Sequence, residues 1–153
     1  MKYTFILILA FGFVLNSCKK ERAQNETKSS FQEVYQMSEM AILMEEMYNE
    51  LQKNRSNIIE NKPVGEFPQK FEKIDSAKMT ETFVRTDEFK NWSNLLIQNF
   101  HHLYESDSNR IENYNNVIKT CISCHKSDAG CIGPVSRIGK LLIPNDLQPN
   151  GVK

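Results

Sequence analysis

The sequence of 153 residues predicts an all-α domain folded as an antiparallel four-helix bundle. Two observations lead to this prediction. Apolar residues recur at spacings of three and four along four separate segments, which is the periodicity of amphipathic helices. No segment has the alternating, β-branched pattern of a half-buried strand. The length suits one domain, and a chain that is 25% charged and 40% hydrophobic has a globular composition.

The N-terminal segment is expected to be a signal peptide. Lys2 precedes a thirteen-residue apolar stretch, 3–15, which is too short to span a bilayer and typical of the hydrophobic part of an export signal. The following Leu15-Asn16-Ser17-Cys18 resembles a bacterial lipobox, in which the cysteine receives a diacylglycerol. We therefore expect removal of residues 1–17, a lipid on Cys18 and a periplasmic location on a bacterial membrane, inner or outer. An ordinary export signal followed by a chance cysteine is the alternative.

The mature chain is nearly neutral. The whole sequence has 19 basic and 19 acidic residues, and removal of Lys2 with the signal leaves one acidic charge in excess. It therefore lacks the basic excess that nucleic-acid partners require. Residues 18–30 contain no aromatic or large aliphatic side chain and are expected to be a lipidated, flexible tether. The domain is expected at 31–143, followed by an irregular tail at 144–153.

The first predicted helix covers residues 31–59, which contain no proline or glycine. Its apolar stripe consists of Val34, Met37, Ala41, Met44, Tyr48 and Leu51, widened by Met40, Leu43 and Met47. Pro63 and Gly65 then break the chain.

The next two predicted helices cover residues 68–79 and 87–104, the second of them with Asp87 as its N-cap. The apolar face of the longer one consists of Phe89, Trp92, Leu96, Phe100 and Leu103. His101 and His102 lie beside this face, so we expect them at the surface or its boundary rather than at a metal.

The fourth predicted helix begins near Ser108. One of its faces carries residues separated by three and four positions, namely Ile111, Tyr114, Ile118, Cys121 and His125. The helical pattern ends after Lys126, and residues 135–143 are expected to pack back on the bundle.

The stretch Cys121-Ile122-Ser123-Cys124-His125 matches C-x-x-C-H, the attachment motif of c-type haem. Two thiols three residues apart on a helix lie close together and can add to the two vinyl groups of one porphyrin edge. His125 follows Cys121 by four residues, so its imidazole projects from the same face and can reach the iron. We therefore expect one covalent haem c, bound to Cys121 and Cys124, with His125 as the proximal iron ligand.

Other uses of these cysteines fit less well. Zinc would require Cys121, Cys124, His125 and Cys131, but adjacent Cys124 and His125 on a helix are poorly placed for a tetrahedral site. A thioredoxin-like pair needs a βαβ context that this sequence lacks. A disulfide leaves the histidine unexplained. The sequence leaves open whether Cys131 is a buried free thiol or cross-links two copies in a homodimer.

A four-helix bundle with C-x-x-C-H near the end of its last helix resembles cytochrome c-prime and its low-spin relatives, the class II c-type cytochromes. The resemblance covers residues 31–125, and its specific motif is 121–125. Class I c-type cytochromes have the motif near the N-terminus and the methionine ligand downstream, which is the reverse of the order here. The family often has arginine four residues past the haem histidine, where this chain has Ala129.

The resemblance also implies where a sixth iron ligand would come from. In the low-spin relatives a first-helix methionine binds the iron, whereas in cytochrome c-prime an apolar side chain leaves it five-coordinate. Met37, Met40, Met44 and Met47 crowd the first helix here. The ligand in those relatives lies about ten residues into its helix, often after leucine, so Leu43-Met44 fits best and Met44 is the expected distal ligand. Plain core packing is the alternative for all four methionines.

Together these features predict a lipid-anchored monohaem electron carrier between extracytoplasmic redox proteins. An enzyme is not expected, because a peroxidase-type site needs a distal acid–base group. The candidates for such a group, Glu39, Glu45 and Glu46, are expected on the solvated face of the first helix. Arg137 and Lys140 either pair with haem propionates or are solvated. The alternative functions are a five-coordinate haem module that binds nitric oxide or carbon monoxide, and a structural lipoprotein without haem.

Overall fold

The computed structural model describes residues 36–128 and 133–147, and these ranges are helical and contain no β-strand. The elements are α1 (Glu39–Ile59), a 3-10 helix (Gln69–Asp75), α2 (Asp87–Glu105), α3 (Arg110–Lys126), α4 (Val135–Gly139) and a 3-10 turn (Asn145–Leu147). The prediction of an all-α chain is therefore confirmed for the described part.

Several predictions fall outside the described residues. These are the signal peptide, the lipidated Cys18 and its tether, the domain start at 31–35, Cys131, and the last residues of the tail. Within the described part of the predicted tail, 144–147, the chain forms one 3-10 turn, Asn145–Leu147. No helix of the described ranges is long and apolar enough to cross a bilayer.

Helix α1 begins later than the sequence predicted. Residues 36–38 are not helical, and Ser38 is the N-cap, with its Oγ accepting a hydrogen bond from the Ala41 backbone N–H at 3.1 Å. The prediction of a continuous helix from Phe31 is therefore wrong. A serine hydroxyl that accepts a hydrogen bond from a first-turn N–H sets the N-terminal boundary of the helix at its own position. Met44 consequently lies in the second turn of α1.

The segment predicted as a helix over 68–79 is a 3-10 helix of 7 residues, Gln69–Asp75. Its Phe71 and Ile74 are buried, and their spacing of three matches the three-residue turn of a 3-10 helix. The loop that follows is held against the start of α1. The Met40 backbone N–H donates to the carbonyl oxygen of Lys78 at 3.0 Å, and the Lys78 backbone N–H donates to Glu39 Oε2 at 2.9 Å.

Helices α2 and α3 lie where the sequence predicted them, apart from their first residues. Thr86 rather than Asp87 is the N-cap of α2, because its Oγ1 accepts from the Phe89 backbone N–H at 3.1 Å. Helix α3 starts at Arg110 rather than near Ser108, after Asn109 with a left-handed φ of 54°. The two helices bury a shared apolar interior that contains Phe89, Leu96, Phe100, Leu103, Ile111, Tyr114, Val117 and Ile118.

The chain after α3 packs back on the other helices, as predicted. Polar side chains on the buried face of α3 hold this C-terminal segment in place. The Tyr114 hydroxyl lies 3.2 Å from the carbonyl oxygens of both Leu51 and Leu141. Asn115 Nδ2 donates to the Ile143 carbonyl at 2.8 Å, and Asn115 Oδ1 accepts from the Ile143 N–H at 2.9 Å. These bonds satisfy backbone groups that are buried away from water, and they hold the segment next to α1 and α3.

Candidate functional site

An open cavity adjoins α1, α3, α4 and the loop before α2. Its empty volume is about 1120 Å³, counting the space at its mouth. Cys121, Cys124 and His125 all line it from the C-terminal part of α3. The two thiols and the imidazole, which the sequence placed on one side of a helix, therefore line the same cavity.

The other walls of this cavity are largely apolar and rich in thioethers. All the methionines except Met1 line it, namely Met37, Met40, Met44, Met47 and Met79. Met79 was not among the sequence-predicted site residues, because the sequence placed it at the end of the predicted helix 68–79, outside that helix's apolar face, whereas it lies in the loop after Asp75. Phe83 and Phe89 also line the cavity without having been recognised as site residues. Methionine fills irregular spaces well, which suits the wall of a site for a large flat group.

Met44 occupies a distinctive position among these methionines. A small second cavity lies beside the first and is lined by Cys121, Cys124 and His125 together with residues of α2. Met44 lines both cavities, whereas the other methionines line the first one. The predicted site residues Met44, Cys121, Cys124 and His125 are thus brought together by the fold.

From Met37 onward, the apolar stripe that the sequence predicted for the first helix lines the cavity, and Val34 lies outside the described residues. Its members Ala41, Met44 and Tyr48 are half-buried, whereas Met40 and Met47, predicted only to widen the stripe, are 7% and 3% exposed. Half-buried apolar side chains around a cavity are what a bound apolar group would cover. The residues present therefore fit a haem, which Cys121 and Cys124 would hold and which apolar side chains of α1 would help to shield from water.

Burial changes the acidity of the Cys121 thiol. Its removal from water, and secondarily the neighbouring Cys124, raise the pKa of Cys121 to about 12. The folded chain thus holds Cys121 as a neutral thiol at physiological pH. Cys121 and Cys124 are not joined to each other by a disulfide.

An ion pair closes one side of the cavity. Arg137 of α4 donates to both carboxylate oxygens of Glu45 of α1, with Nη–Oε distances of 2.6 and 2.7 Å, and its guanidinium carbon lies 3.7 Å from the centroid of the Tyr48 ring. These hydrogen bonds lower the pKa of Glu45 and raise that of Arg137. Glu45, expected on the solvated face of its helix, keeps 44% of its side chain exposed and also lines the open cavity. Arg137 is ion-paired, and Lys140 is exposed.

Glu45→Gln should lower the free energy of unfolding by up to about 1 kcal/mol at neutral pH, as expected for a half-exposed pair. Because the pKa of Glu45 is depressed in the folded state, the stabilisation is present above the unfolded-state pKa and disappears as the pH falls through the folded-state value. Urea unfolding at pH 7 and pH 3 measures this. Glu46→Gln, which removes a single contact to Lys70 at 3.1 Å, is the matched control and should have a smaller effect. Equal losses at both pH values for Glu45→Gln would contradict the ion-pair explanation.

His101 and His102 lie at the boundary and the surface of α2, as predicted, and neither lines the cavity. The His101 ring packs on Phe67 with 4.3 Å between centroids and lies near the carboxylates of Glu72 and Glu105. Across residues 36–128 and 133–147, no group of three or more His, Cys, Asp and Glu side chains is arranged to hold a metal ion. Comparisons of the chain with protein-family models, curated proteins and solved structures gave no match.

Proposed function

We propose that this chain is a lipid-anchored monohaem c-type cytochrome that carries single electrons between extracytoplasmic redox proteins. The observation that carries the proposal is the convergence of Cys121, Cys124 and His125 on one apolar, methionine-lined cavity. The haem would supply a one-electron iron centre when bound. Cys121 and Cys124 would hold it covalently, and His125 would provide the proximal imidazole.

The remaining cavity residues have a supporting role in this proposal. The apolar walls exclude water, and a dry environment together with a thioether ligand raises the reduction potential. Met44 is the proposed distal ligand, because it lines both cavities next to the motif. No catalytic role is proposed. Glu45 is the acidic residue that lines the cavity in the described part of the chain, and its carboxylate is already bound to Arg137.

We also infer that the chain belongs to the four-helix type of c-type cytochrome that it resembles. Helices α1, α2 and α3 would form three members of the antiparallel bundle, and the 3-10 helix Gln69–Asp75 would replace the fourth. This assignment is supported by the core, to which all four elements contribute buried side chains. It also agrees with the position of the cavity beside the C-terminal part of α3, the last long helix described.

A five-coordinate haem module that binds nitric oxide or carbon monoxide is the second candidate. One observation favours it: α1 begins at Glu39, so Met44 no longer matches the helical position that the resemblance implies for a methionine ligand. Absorption spectra of the oxidised and reduced protein separate the two candidates, because a thioether ligand keeps the iron low-spin in both states. A high-spin spectrum with immediate carbon monoxide uptake would favour the second candidate. A colourless protein from cells that attach haem would exclude both.

Fluorescence of Trp92, the only tryptophan of the chain, should report whether the folded domain holds a haem close to Cys121, Cys124 and His125. Trp92 lines the small cavity together with Cys121, Cys124 and His125. A haem held there should quench its emission to a small fraction of the apoprotein value by energy transfer, and urea should restore much of it. Apoprotein with Cys121→Ala and Cys124→Ala is the control. Full Trp92 emission from folded, haem-containing protein would mean that the haem is not held near Cys121, Cys124 and His125.

A further inference from the structure

An exposed apolar patch lies at the mouth of the cavity. Met37 and Phe83 both line the cavity and are 42% and 40% exposed, and Val84, the neighbour of Phe83, is 76% exposed. The two segments that carry these residues are joined by a hydrogen bond of 3.0 Å between the hydroxyls of Ser38 and Thr80. We call Met37, Phe83 and Val84 the mouth patch. Met37 and Phe83 line the same opening and Val84 directly follows Phe83 in the chain, unlike a scatter of single exposed apolar residues, which is normal on any surface.

The mouth patch has no charge bias. The segments that form it, 36–39 and 78–85, carry the acidic residues Glu39 and Glu81 and the basic residues Lys78 and Arg85. Balanced charge provides no long-range attraction for a strongly charged protein partner. Exposed apolar side chains without net charge instead suit the interfacial region of a phospholipid bilayer, where apolar groups are buried without needing a shaped partner.

The N-terminal segment of the chain joins the described residues next to this same patch. The described residues begin at Gln36, directly before Met37, and the proposed lipid is attached at Cys18, eighteen positions earlier. Even at full extension this length of chain spans at most about 65 Å. The domain therefore stays close to the bilayer at a high effective concentration, where a weak contact is well populated. Met37, the first residue of the mouth patch, directly follows Gln36, where the described residues begin.

We propose that the mouth patch rests on the phospholipid surface to which the chain is anchored, so that the cavity opens toward the bilayer. This inference rests on the lipid anchor of the proposed function, and it does not require that the haem be bound. It implies that an electron partner reaching the cavity through its mouth is embedded in the membrane, whereas water-soluble carriers approach another side of the domain.

Photo-cross-linking in vesicles tests this proposal. The mature, lipidated protein carries Phe83→benzoylphenylalanine and is reconstituted in phosphatidylcholine vesicles that contain no other protein. Ile59 and Leu95 are matched control positions, since they are 43% and 41% exposed, close to the 40% of Phe83, and neither lines the cavity. After irradiation, mass spectrometry should detect a phospholipid adduct at position 83, several-fold more abundant than at positions 59 or 95. Its yield should not fall when the salt concentration is raised.

Three results would overturn the proposal. Equal lipid adducts at positions 83, 59 and 95 would mean that no particular side faces the bilayer. Cross-links between two copies of the chain at position 83 would identify the mouth patch as a dimer contact. Absence of lipid on Cys18, seen in the mass of the N-terminal peptide, would overturn the anchor and this inference together. The haem proposal is judged separately on the same samples by their absorption spectrum.

Discussion

Replacing both cysteines of the motif, with Cys121→Ala and Cys124→Ala together, should abolish covalently bound haem. Both thiols line the cavity from α3, and a thioether bond to each is what would keep the haem on the chain during denaturation. In cells that attach haem, denaturing electrophoresis followed by a haem stain should give a stained band for the unchanged protein and no stain for the variant. Immunodetection confirms that both chains are present.

Cys131→Ala is the matched cysteine control for this experiment. Cys131 lies outside the five-residue motif, so its removal should leave the haem stain unchanged. Loss of stain in Cys131→Ala, with full stain retained by the double variant, would exclude the proposed attachment. An unstained band from the unchanged protein would exclude covalent haem altogether, and the structural lipoprotein would become the leading function.

Met44→Ala should convert a low-spin absorption spectrum to a high-spin one and allow rapid uptake of carbon monoxide. If the thioether of Met44 binds the iron, its loss would remove that ligand, leave a coordination site free and lower the reduction potential. Spectra of the oxidised and reduced protein, and a titration with carbon monoxide, measure these changes. We expect the shift in spin state to be nearly complete, because alanine has no group that binds iron.

Met40→Ala and Met47→Ala are the controls for Met44→Ala, because both residues line the same cavity and are buried. Each should lower the free energy of unfolding by about 2–5 kcal/mol, as large-to-small core substitutions do, without changing the spin state. Met79→Ala completes the set, since Met79 offers a thioether from the loop before α2. A spin-state change in Met79→Ala but not in Met44→Ala would move the distal ligand to the loop.

The helices illustrate which local signals are reliable. Helix α2 was predicted at 87–104 and runs from Asp87 to Glu105, because its apolar face repeats over several turns and is buried along its length. Helix α1 was predicted eight residues too long at its start, since Val34 and Met37 continue the apolar spacing before the Ser38 cap. A pattern of apolar residues indicates a face, whereas a cap that satisfies backbone N–H groups decides where the helix begins.

By itself the sequence determined the all-α class, the face of α3 that carries Cys121 and His125, and the C-x-x-C-H spacing from which haem attachment is predicted. These are local properties, because helical periodicity and the C-x-x-C-H spacing depend on residues a few positions apart. Only the tertiary structure decided that Met79 joins the methionines of α1 around one cavity, and that Arg137 binds Glu45 across 92 positions of sequence. The tertiary structure alone also placed Met37 and Phe83 together at the mouth of this cavity. Contacts of this kind depend on which distant segments pack together, and the spacing of residues within a helix carries no information about that.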